Sequence, residues 1–204
     1  MYLPKQFDHP QHAAAIMREH PFACLISNDD DGFPFVTHLP LKLLEEGASP
    51  VALLGHCARA NPHARYLQQR PEALLTFMGP QAYMSPKVYP DLQRVPTWTY
   101  LAVHARVQAR MLDGEDAKDA MLKQMIADHE PTYAAQWRGL PDSYTQAMLN
   151  GIVAFELKIV SLQTKVKINQ HRPESHAAMH AAYADGGDQE KAIAQWMQRL
   201  GLVA

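Results

Sequence analysis

Two stretches of sequence decide the fold: residues 97–111 read TWTYLAVHARVQARM, and residues 152–168 read IVAFELKIVSLQTKVKI. Every second residue of the first stretch is apolar from Leu101 to Ala109, and residues 153–159 repeat that pattern in the second. A period of two places the apolar side chains on one face of a β-strand. Both stretches therefore predict long strands with one buried face, and we expect the chain to be built around a sheet.

The rest of the chain predicts shorter strands and helices around these two strands. Asp31-Gly32 is typical of a tight hairpin turn, and Asn61-Pro62 of a helix start. Asp113 is expected to cap a helix that begins at Glu115. Short strands are expected at residues 22–27, 33–39, 41–44, 51–54 and 73–78, and helices at residues 13–19, 61–69, 115–129, 141–149, 174–184 and 188–200.

This order of elements predicts a mainly β protein with flanking helices, of the α+β class. The regular strand–helix alternation of a doubly wound sheet is missing from the sequence, and so is a glycine-rich dinucleotide-binding loop. A β-barrel with helical decoration is the architecture that remains. We expect one domain over residues 1–204, with a helical insertion at about 113–150 and a C-terminal helical tail at about 173–204.

Composition restricts the function. The chain has 204 residues, of which 47% are hydrophobic and 20% charged, and its formal net charge is −2. These values are typical of a globular protein and exclude a broadly basic surface that would bind nucleic acid or anionic membrane by charge alone. No apolar run reaches the ~20 residues of a membrane span, and neither Cys24 nor Cys57 belongs to a C-x-x-C pair. We expect a cytoplasmic protein with reduced thiols and no membrane contact.

The densest polar cluster is GHCARANPH at residues 55–63, which joins a predicted strand to a predicted helix. A helix start presents backbone N–H groups and a partial positive charge, and the guanidinium of Arg59 adds a forked donor. This combination suits a phosphate or carboxylate. Alternatively, Asn61 only caps the helix and Arg59 is solvated, and the sequence alone leaves both interpretations open.

Three further clusters contain candidate binding residues. Thr37 and His38 are polar residues inside an apolar run, where burial would require hydrogen-bond partners. Aromatic, hydroxyl and proline residues at 79–87 and 95–100 predict a rigid loop able to sandwich a planar ring, or alternatively a hydrophobic plug at a barrel end. Lys165 and Lys167 share one side of a strand and suit a phosphate, although a solvated charged face is the simpler interpretation. No metal site is expected.

Five blocks in one order carry a resemblance to a known family. The blocks are MYLPKQF (1–7), THLPL (37–41), GHCARANPH (55–63), GPQAYMSP (79–86) with VPTWTY (95–100) and VHA (103–105), and GIVAFEL (151–157) followed by KVKINQHR (165–172). The chain resembles the PaiB-type FMN-binding negative transcriptional regulators, which are related to the pyridoxamine-phosphate-oxidase-like split barrels. It departs from the family pattern at Lys87, where tryptophan is usual, at Thr99, where asparagine is usual, and in the tail at residues 167–172.

The resemblance implies a split-barrel homodimer that binds FMN at the subunit interface. It places the phosphate and isoalloxazine contacts in the matching blocks and implies no catalytic residue. The implied FMN-binding residues are Thr37, His38, Leu39, His56, Ala58, Arg59, Asn61, Ser85, Lys165, Lys167, Gln170 and Arg172.

The resemblance also implies a function, and the residues leave alternatives to it. The first hypothesis is a flavin-binding regulator that represses genes directly or through a partner. Direct DNA binding would need a concentrated basic face, because the net charge is −2 and the sequence shows no helix-turn-helix with a basic recognition helix. The alternative is a flavin-dependent oxidoreductase acting on a small molecule, and a weaker one is a haem-binding split barrel with a histidine ligand.

Overall fold

A computed structural model of the chain describes residues 1–91 and 93–204. The strands of the described residues are β1 (Phe22–Asn28), β2 (Pro34–Pro40), β3 (Lys42–Glu46), β4 (Ser49–Ala58), β5 (Glu72–Met84), β6 (Thr97–Leu112) and β7 (Ile152–Lys167). The helices are α1 (Ala13–Glu19), α2 (Pro62–Gln69), α3 (Glu115–His129), α4 (Tyr133–Arg138), α5 (Asp142–Asn150), α6 (His176–Ala184) and α7 (Asp188–Arg199). The expected fold class, mainly β with flanking helices, is confirmed.

The strands form one sheet in the order β2-β1-β5-β6-β7-β4-β3. β1 pairs antiparallel with β2 and β5, and β4 pairs antiparallel with β3 and β7. The β1–β2 hairpin turns where predicted, because the side chain of Asp29 accepts the N–H groups of Asp31 and Phe33, and Gly32 adopts a φ of 80°. β2 and β3 are the edge strands of this sheet.

The two long alternating strands have the buried faces that the sequence predicts. In β6, Leu101, Val103 and Ala105 have no exposed surface, whereas Arg106 and Gln108 are exposed. Ala102 is also buried, so the sheet is covered on both sides at that position. In β7 the fully buried residues include Phe155 and Leu157.

The structure corrects the sequence analysis at several places. β4 is longer than expected and spans Ser49–Ala58 rather than residues 51–54. β5 does not end at Gly79-Pro80 but continues to Met84, and helix α4 was not expected. The register of β1 with β5 pairs Leu74, Leu75 and Thr76, so Pro80 lies outside that ladder. Asp113 does not cap α3: the N-cap is Gly114, and no side chain caps the helix.

The contacts between residues divide the chain into two compact units. Unit 1 comprises Met1–Glu19, Met78–Val103 and Gln163–Ala204, and unit 2 comprises His20–Phe77 and His104–Leu162. β5, β6 and β7 contribute residues to both units. The expectation of a single domain stays a prediction.

Within unit 2, the helical insertion is α3 to α5, and its first helix packs on the sheet. Met121 and Met125 of α3 are buried against Leu54 of β4 and Ala154 of β7. Burial of two methionines is worth several kcal/mol at about 1.5–3 kcal/mol each, so this contact holds α3 in place. Within the described residues, none of the helices has the length and apolar character needed to cross a bilayer.

Candidate functional site

The twelve predicted binding residues are divided between the two units. Unit 2 contains Thr37, His38, Leu39, His56, Ala58, Arg59 and Asn61, and unit 1 contains Ser85, Lys165, Lys167, Gln170 and Arg172.

In unit 2, Thr37 is the centre of a hydrogen-bonded network between β2 and α2. Asn61 caps α2, since its Oδ1 accepts the backbone N–H of His63 at 3.0 Å, and its Nδ2 donates to Thr37 Oγ1 at 3.1 Å. His63 Nδ1 lies 2.7 Å from the same threonine oxygen. Because the amide of Asn61 already donates to Thr37, the hydroxyl proton of Thr37 is free to bond His63. The network holds the N-terminus of α2 against β2.

His63 is the residue of this network that the sequence analysis did not single out. Its side chain has no exposed surface, and its ring packs edge-on against Phe35, with centroids 5.1 Å apart. Burial lowers the pKa of His63 to about 4, so the ring is neutral at pH 7. Nε2 has no hydrogen-bond partner among the described residues. The signal was available: His63, Tyr66 and Leu67 are spaced as the buried face of a helix.

The other β2 and β4 candidates differ in their exposure. His38 is exposed and stacks on Phe22, with ring centroids 6.3 Å apart, whereas Leu39 is buried. His56 is half-buried on β4, where burial lowers its pKa and its Nδ1 has no partner among the described residues. Ala58 is exposed at the end of β4. His38 and Ala58 are therefore accessible to a ligand, and Leu39 is a core residue.

Arg59 bonds to the protein itself rather than lying free. Its Nε donates to Asn150 O at 2.6 Å and its Nη2 to Ile152 O at 3.2 Å, while its backbone N–H donates to Gly151 O at 2.8 Å. The side chain thus bonds to the last carbonyl of α5 and to the first carbonyl of β7, and its Nη1 donors have no partner among the described residues. Arg59 stays a predicted phosphate ligand through these donors.

The start of α2 offers fewer free donors than the sequence analysis expected. The N–H of Asn61 donates to Ala58 O at 2.9 Å, that of His63 to the Asn61 side chain, and that of Ala64 to Asn61 O at 3.1 Å. Pro62 has no N–H. Internal partners therefore satisfy the donors that an anion at this helix end would use.

In unit 1, Lys165 and Lys167 form a pair of cations around one aromatic ring. Their Nζ atoms lie 5.3 and 5.8 Å from the centroid of Tyr100. Lys165 donates to Tyr2 O at 3.0 Å and Lys167 to Thr97 Oγ1 at 2.6 Å. Burial lowers the pKa of Lys167, and the charge of Lys165 lowers it further. Tyr100 acts in the opposite direction. Neither ammonium contacts a carboxylate within the described residues.

The remaining unit 1 candidates are tied into local structure. Gln170 Nε2 donates to Val166 O at 2.6 Å, and Ser85 caps the short turn that follows it. Arg172 is exposed, with its guanidinium 4.0 Å from Glu174. The local bonds of Gln170 and Ser85 account for their conformation without a ligand, whereas Arg172 is accessible.

The departures from the family pattern have structural settings. Lys87 is exposed, and its backbone N–H donates to Ser85 Oγ at 3.2 Å. Thr99 is buried; its hydroxyl donates to Ala82 O at 3.1 Å and lies 3.2 Å from the hydroxyl of Tyr183. Thr99 therefore holds β6, β5 and α6 together in unit 1.

Exposed aromatic surface lies beside these residues on β5 and β6. Tyr83 and Trp98 pack edge to face with centroids 6.1 Å apart, and about half of each side chain is exposed. The segment predicted as a loop is thus largely strand, and its two rings remain available to a planar ligand rather than being buried as a plug.

A flavin mononucleotide fits the groups that unit 1 presents. Its phosphate carries close to two negative charges at pH 7, which matches the two ammonium groups of Lys165 and Lys167. A planar ring system suits the exposed aromatic faces of Tyr83 and Trp98.

An antiparallel sheet with flanking helices, a pair of lysines around one aromatic ring and exposed aromatic rings is typical of a flavin-binding β protein of the split-barrel class. The sequence model of the family described as "Putative FMN-binding domain" matches residues 1–161. The chain belongs to this family, and FMN is the family's cofactor.

Relatives of known sequence agree with that assignment. The chain is 31% identical over 179 residues to "Protease synthase and sporulation protein PAI 2" of Bacillus subtilis, covering 86% of this chain and 84% of the relative. It is also 26% identical over 154 residues to a protein of Saccharomyces cerevisiae, covering 64% of this chain and 90% of the relative. The resemblance to the PaiB type is confirmed.

Solved structures show the same fold at low identity. The FAD and haem binding protein from Mycobacterium smegmatis matches with a TM-score of 0.60 at 17% identity, over 78% of this chain and 72% of that one. The flavocytochrome Anf3 from Azotobacter vinelandii matches with a TM-score of 0.59 at 18% identity, over 79% and 68%. At these identities the likeness establishes the fold alone.

Proposed function

We propose that this protein is an FMN-binding regulator of the PaiB type, with the FMN phosphate held by Lys165 and Lys167. The observation that carries the proposal is the pair of lysines around Tyr100, whose charges have no carboxylate partner in the described part of the chain. Two like charges on one strand repel each other, and a phosphate dianion would turn that repulsion into attraction.

The residues of unit 1 would orient as well as bind the cofactor. Tyr2 O and Thr97 Oγ1 each accept one ammonium proton, which leaves two N–H donors on each lysine for phosphate oxygens. Bound FMN would supply a redox-active isoalloxazine ring. Tyr83 and Trp98 offer that ring aromatic contact.

The test is FMN titration of a lysine variant against a matched control. Lys167→Met removes one ammonium of the pair, and Lys191→Met removes an exposed ammonium of α7 in the same unit. We expect the first to raise the FMN dissociation constant about tenfold or more, the range for a lost hydrogen bond to a charged group, and the second to leave it unchanged. Equal affinities for both variants would place the phosphate elsewhere.

A homodimer is part of the proposal, with FMN at the interface between two copies. The outer face of the β1–β2 hairpin supports it, since Phe22 and Val36 are 64% and 44% exposed and lie on one face with Ile26 and His38. A second copy of the chain would cover this exposed apolar face, which includes the edge strand β2.

The second candidate function is a flavin-dependent oxidoreductase. Two buried ring nitrogens favour it, Nε2 of His63 and Nδ1 of His56, which have no hydrogen-bond partner among the described residues, because a histidine nitrogen of this kind can exchange a proton with a substrate. Steady oxidation of NADH or NADPH by the FMN-loaded protein would favour the enzyme. Release of target genes from repression when the protein is removed, without such turnover, would favour the regulator.

A further inference from the structure

A cavity of about 410 Å³ lies where the insertion meets the body of unit 2. Its walls come from α2, the end of β6, the start of β7 and the first turns of α3. The volume falls within the range of about 300–1,000 Å³ that is typical of small-molecule sites. None of the twelve predicted residues except Arg59 lines it.

The charged groups of the cavity are mostly cationic. Arg59, Arg65 and Lys118 line it, against the single carboxylate of Asp113. Arg65 also forms an ion pair with Asp30. Arg59 and Lys118 contact no carboxylate in the parts of the chain that the structure describes, so their charges lack a counter-ion.

Lys118 is the unusual member, because only 8% of its surface is exposed. Its Nζ donates to Leu149 O at 2.9 Å, which leaves two of its three N–H donors without a partner among the described residues. A lysine is rarely buried to this extent unless it is paired, since removing an ammonium from water is costly.

The carbonyls at the end of α5 compensate only part of this charge. Arg59 donates hydrogen bonds to the carbonyl oxygens of Asn150 and Ile152, and Lys118 donates one to that of Leu149. The end of a helix offers about half a negative charge, and these two side chains carry two full positive charges. The Asp113 carboxylate supplies a further negative charge, so a surplus of about half a positive charge remains beside the cavity.

We propose that this cavity binds a phosphate group, with Lys118 as its buried cation and Arg59 and Arg65 as its guanidinium contacts. Guanidinium groups bind phosphate oxygens in pairs, and an ammonium adds a point charge. The phosphate has two sources: a separate phosphorylated small molecule, or FMN itself, in which case this cavity would replace Lys165 and Lys167 as the site of the FMN phosphate. The proposal does not depend on the regulatory role.

The experiment titrates inorganic pyrophosphate into the FMN-free and the FMN-loaded protein by calorimetry. Lys118→Met removes the buried ammonium, and Lys123→Met removes an exposed ammonium from the same helix. We expect saturable binding to the wild type, a dissociation constant about tenfold or more higher for Lys118→Met, and no change for Lys123→Met. Arg65→Gln serves as a second variant should Lys118→Met fail to fold.

The FMN arm separates the two sources. If the FMN-loaded protein binds pyrophosphate as the free protein does, the ligand is a separate phosphorylated molecule. If FMN abolishes that binding and Lys118→Met also weakens FMN, the cavity holds the phosphate of FMN, and the proposed phosphate site at Lys165 and Lys167 is wrong. Wild-type and Lys118→Met proteins that bind pyrophosphate equally, or a wild type that binds none, would overturn the proposal and leave Lys118 as a cap of α5.

Discussion

At the scale of single residues, burial decides what His63 can do. Its ring has no exposed surface, bonds to Thr37 through Nδ1 and keeps Nε2 unpartnered among the described residues. Protonation would place a charge in this site with no anion beside it, and therefore the pKa is lowered to about 4. His38 on β2 is exposed, so one residue type behaves differently on the two elements.

This difference predicts a pH dependence of stability. The folded pKa of His63 is below its unfolded value of about 6.5, so the unfolded chain binds more protons and is favoured as the pH falls. We expect His63 to remove about 3 kcal/mol from the free energy of unfolding of the FMN-free protein between pH 7 and pH 4. Denaturant unfolding across this range, compared between wild type and His63→Gln, measures it.

The difference between the two proteins isolates His63 from the other histidines. His12, His56, His104 and His171 have pKa values lowered by burial as well and contribute to both slopes. Parallel stability curves for wild type and His63→Gln would mean that the buried ring is not the group that titrates.

The contacts of single residues were the part of the structure that the sequence predicted least well. It identified Arg59 and Asn61 as a charged donor and a helix cap, and the structure confirms the cap. It could not foresee that Arg59 would bond to carbonyls about 90 residues later in the chain, because sequence separation hides such contacts. Lys118 was missed for the same reason, since its hydrogen bond to Leu149 O joins residues 31 positions apart.

At the scale of elements, periodicity and turn chemistry predicted most of the fold. α1 and α3 have the predicted bounds, and β6 and β7 differ from theirs by one residue at one end. β5 was cut short because Gly79-Pro80 is typical of a strand end. The sequence of one strand does not show which residues of its neighbours it pairs with, and the register of β1 with β5 ends at Thr76, before Pro80.

The end of α5 supplies the prediction at this scale. Arg59→Ala removes two hydrogen bonds, one to Asn150 O at the end of α5 and one to Ile152 O at the start of β7. The side chain is exposed, so water partly replaces those bonds, and we expect the FMN-free protein to lose about 1–2 kcal/mol of unfolding free energy. Arg59→Lys should lose a similar amount, because it lacks the fork that reaches two carbonyls.

FMN titration of the same variants tests the binding role of Arg59. If its Nη1 edge holds the FMN phosphate, Arg59→Ala weakens FMN binding by roughly 2–3 kcal/mol and Arg59→Lys recovers part of it. An unchanged FMN affinity beside the stability loss would make Arg59 a cap of α5 alone. Unchanged stability would contradict the capping role.

At the scale of the whole molecule, the exposed hairpin face predicts self-association. Phe22 and Ile26 of β1 and Val36 of the edge strand β2 lie on one apolar face. A second copy would cover this face. We expect light scattering to give twice the chain mass of 22.9 kDa at micromolar concentration. Val36→Lys should shift the protein toward monomer, and Tyr144→Lys, at an exposed apolar position of α5, should not.

A wild-type protein of 22.9 kDa in solution would contradict the dimer, and so would equal effects of the two substitutions. FMN at an interface between copies would also bind more weakly to the Val36→Lys monomer. The oligomeric state and the cofactor are therefore linked in this proposal.

The central claim is that this chain binds FMN, and absorbance titration of the purified protein tests it most directly. Protein stripped of cofactor and titrated with FMN should saturate at one flavin per chain, with shifted flavin bands as the ring leaves water. Lys167→Met should need about tenfold more FMN to reach half saturation. A flavin spectrum that stays that of free FMN at every protein concentration would contradict the account.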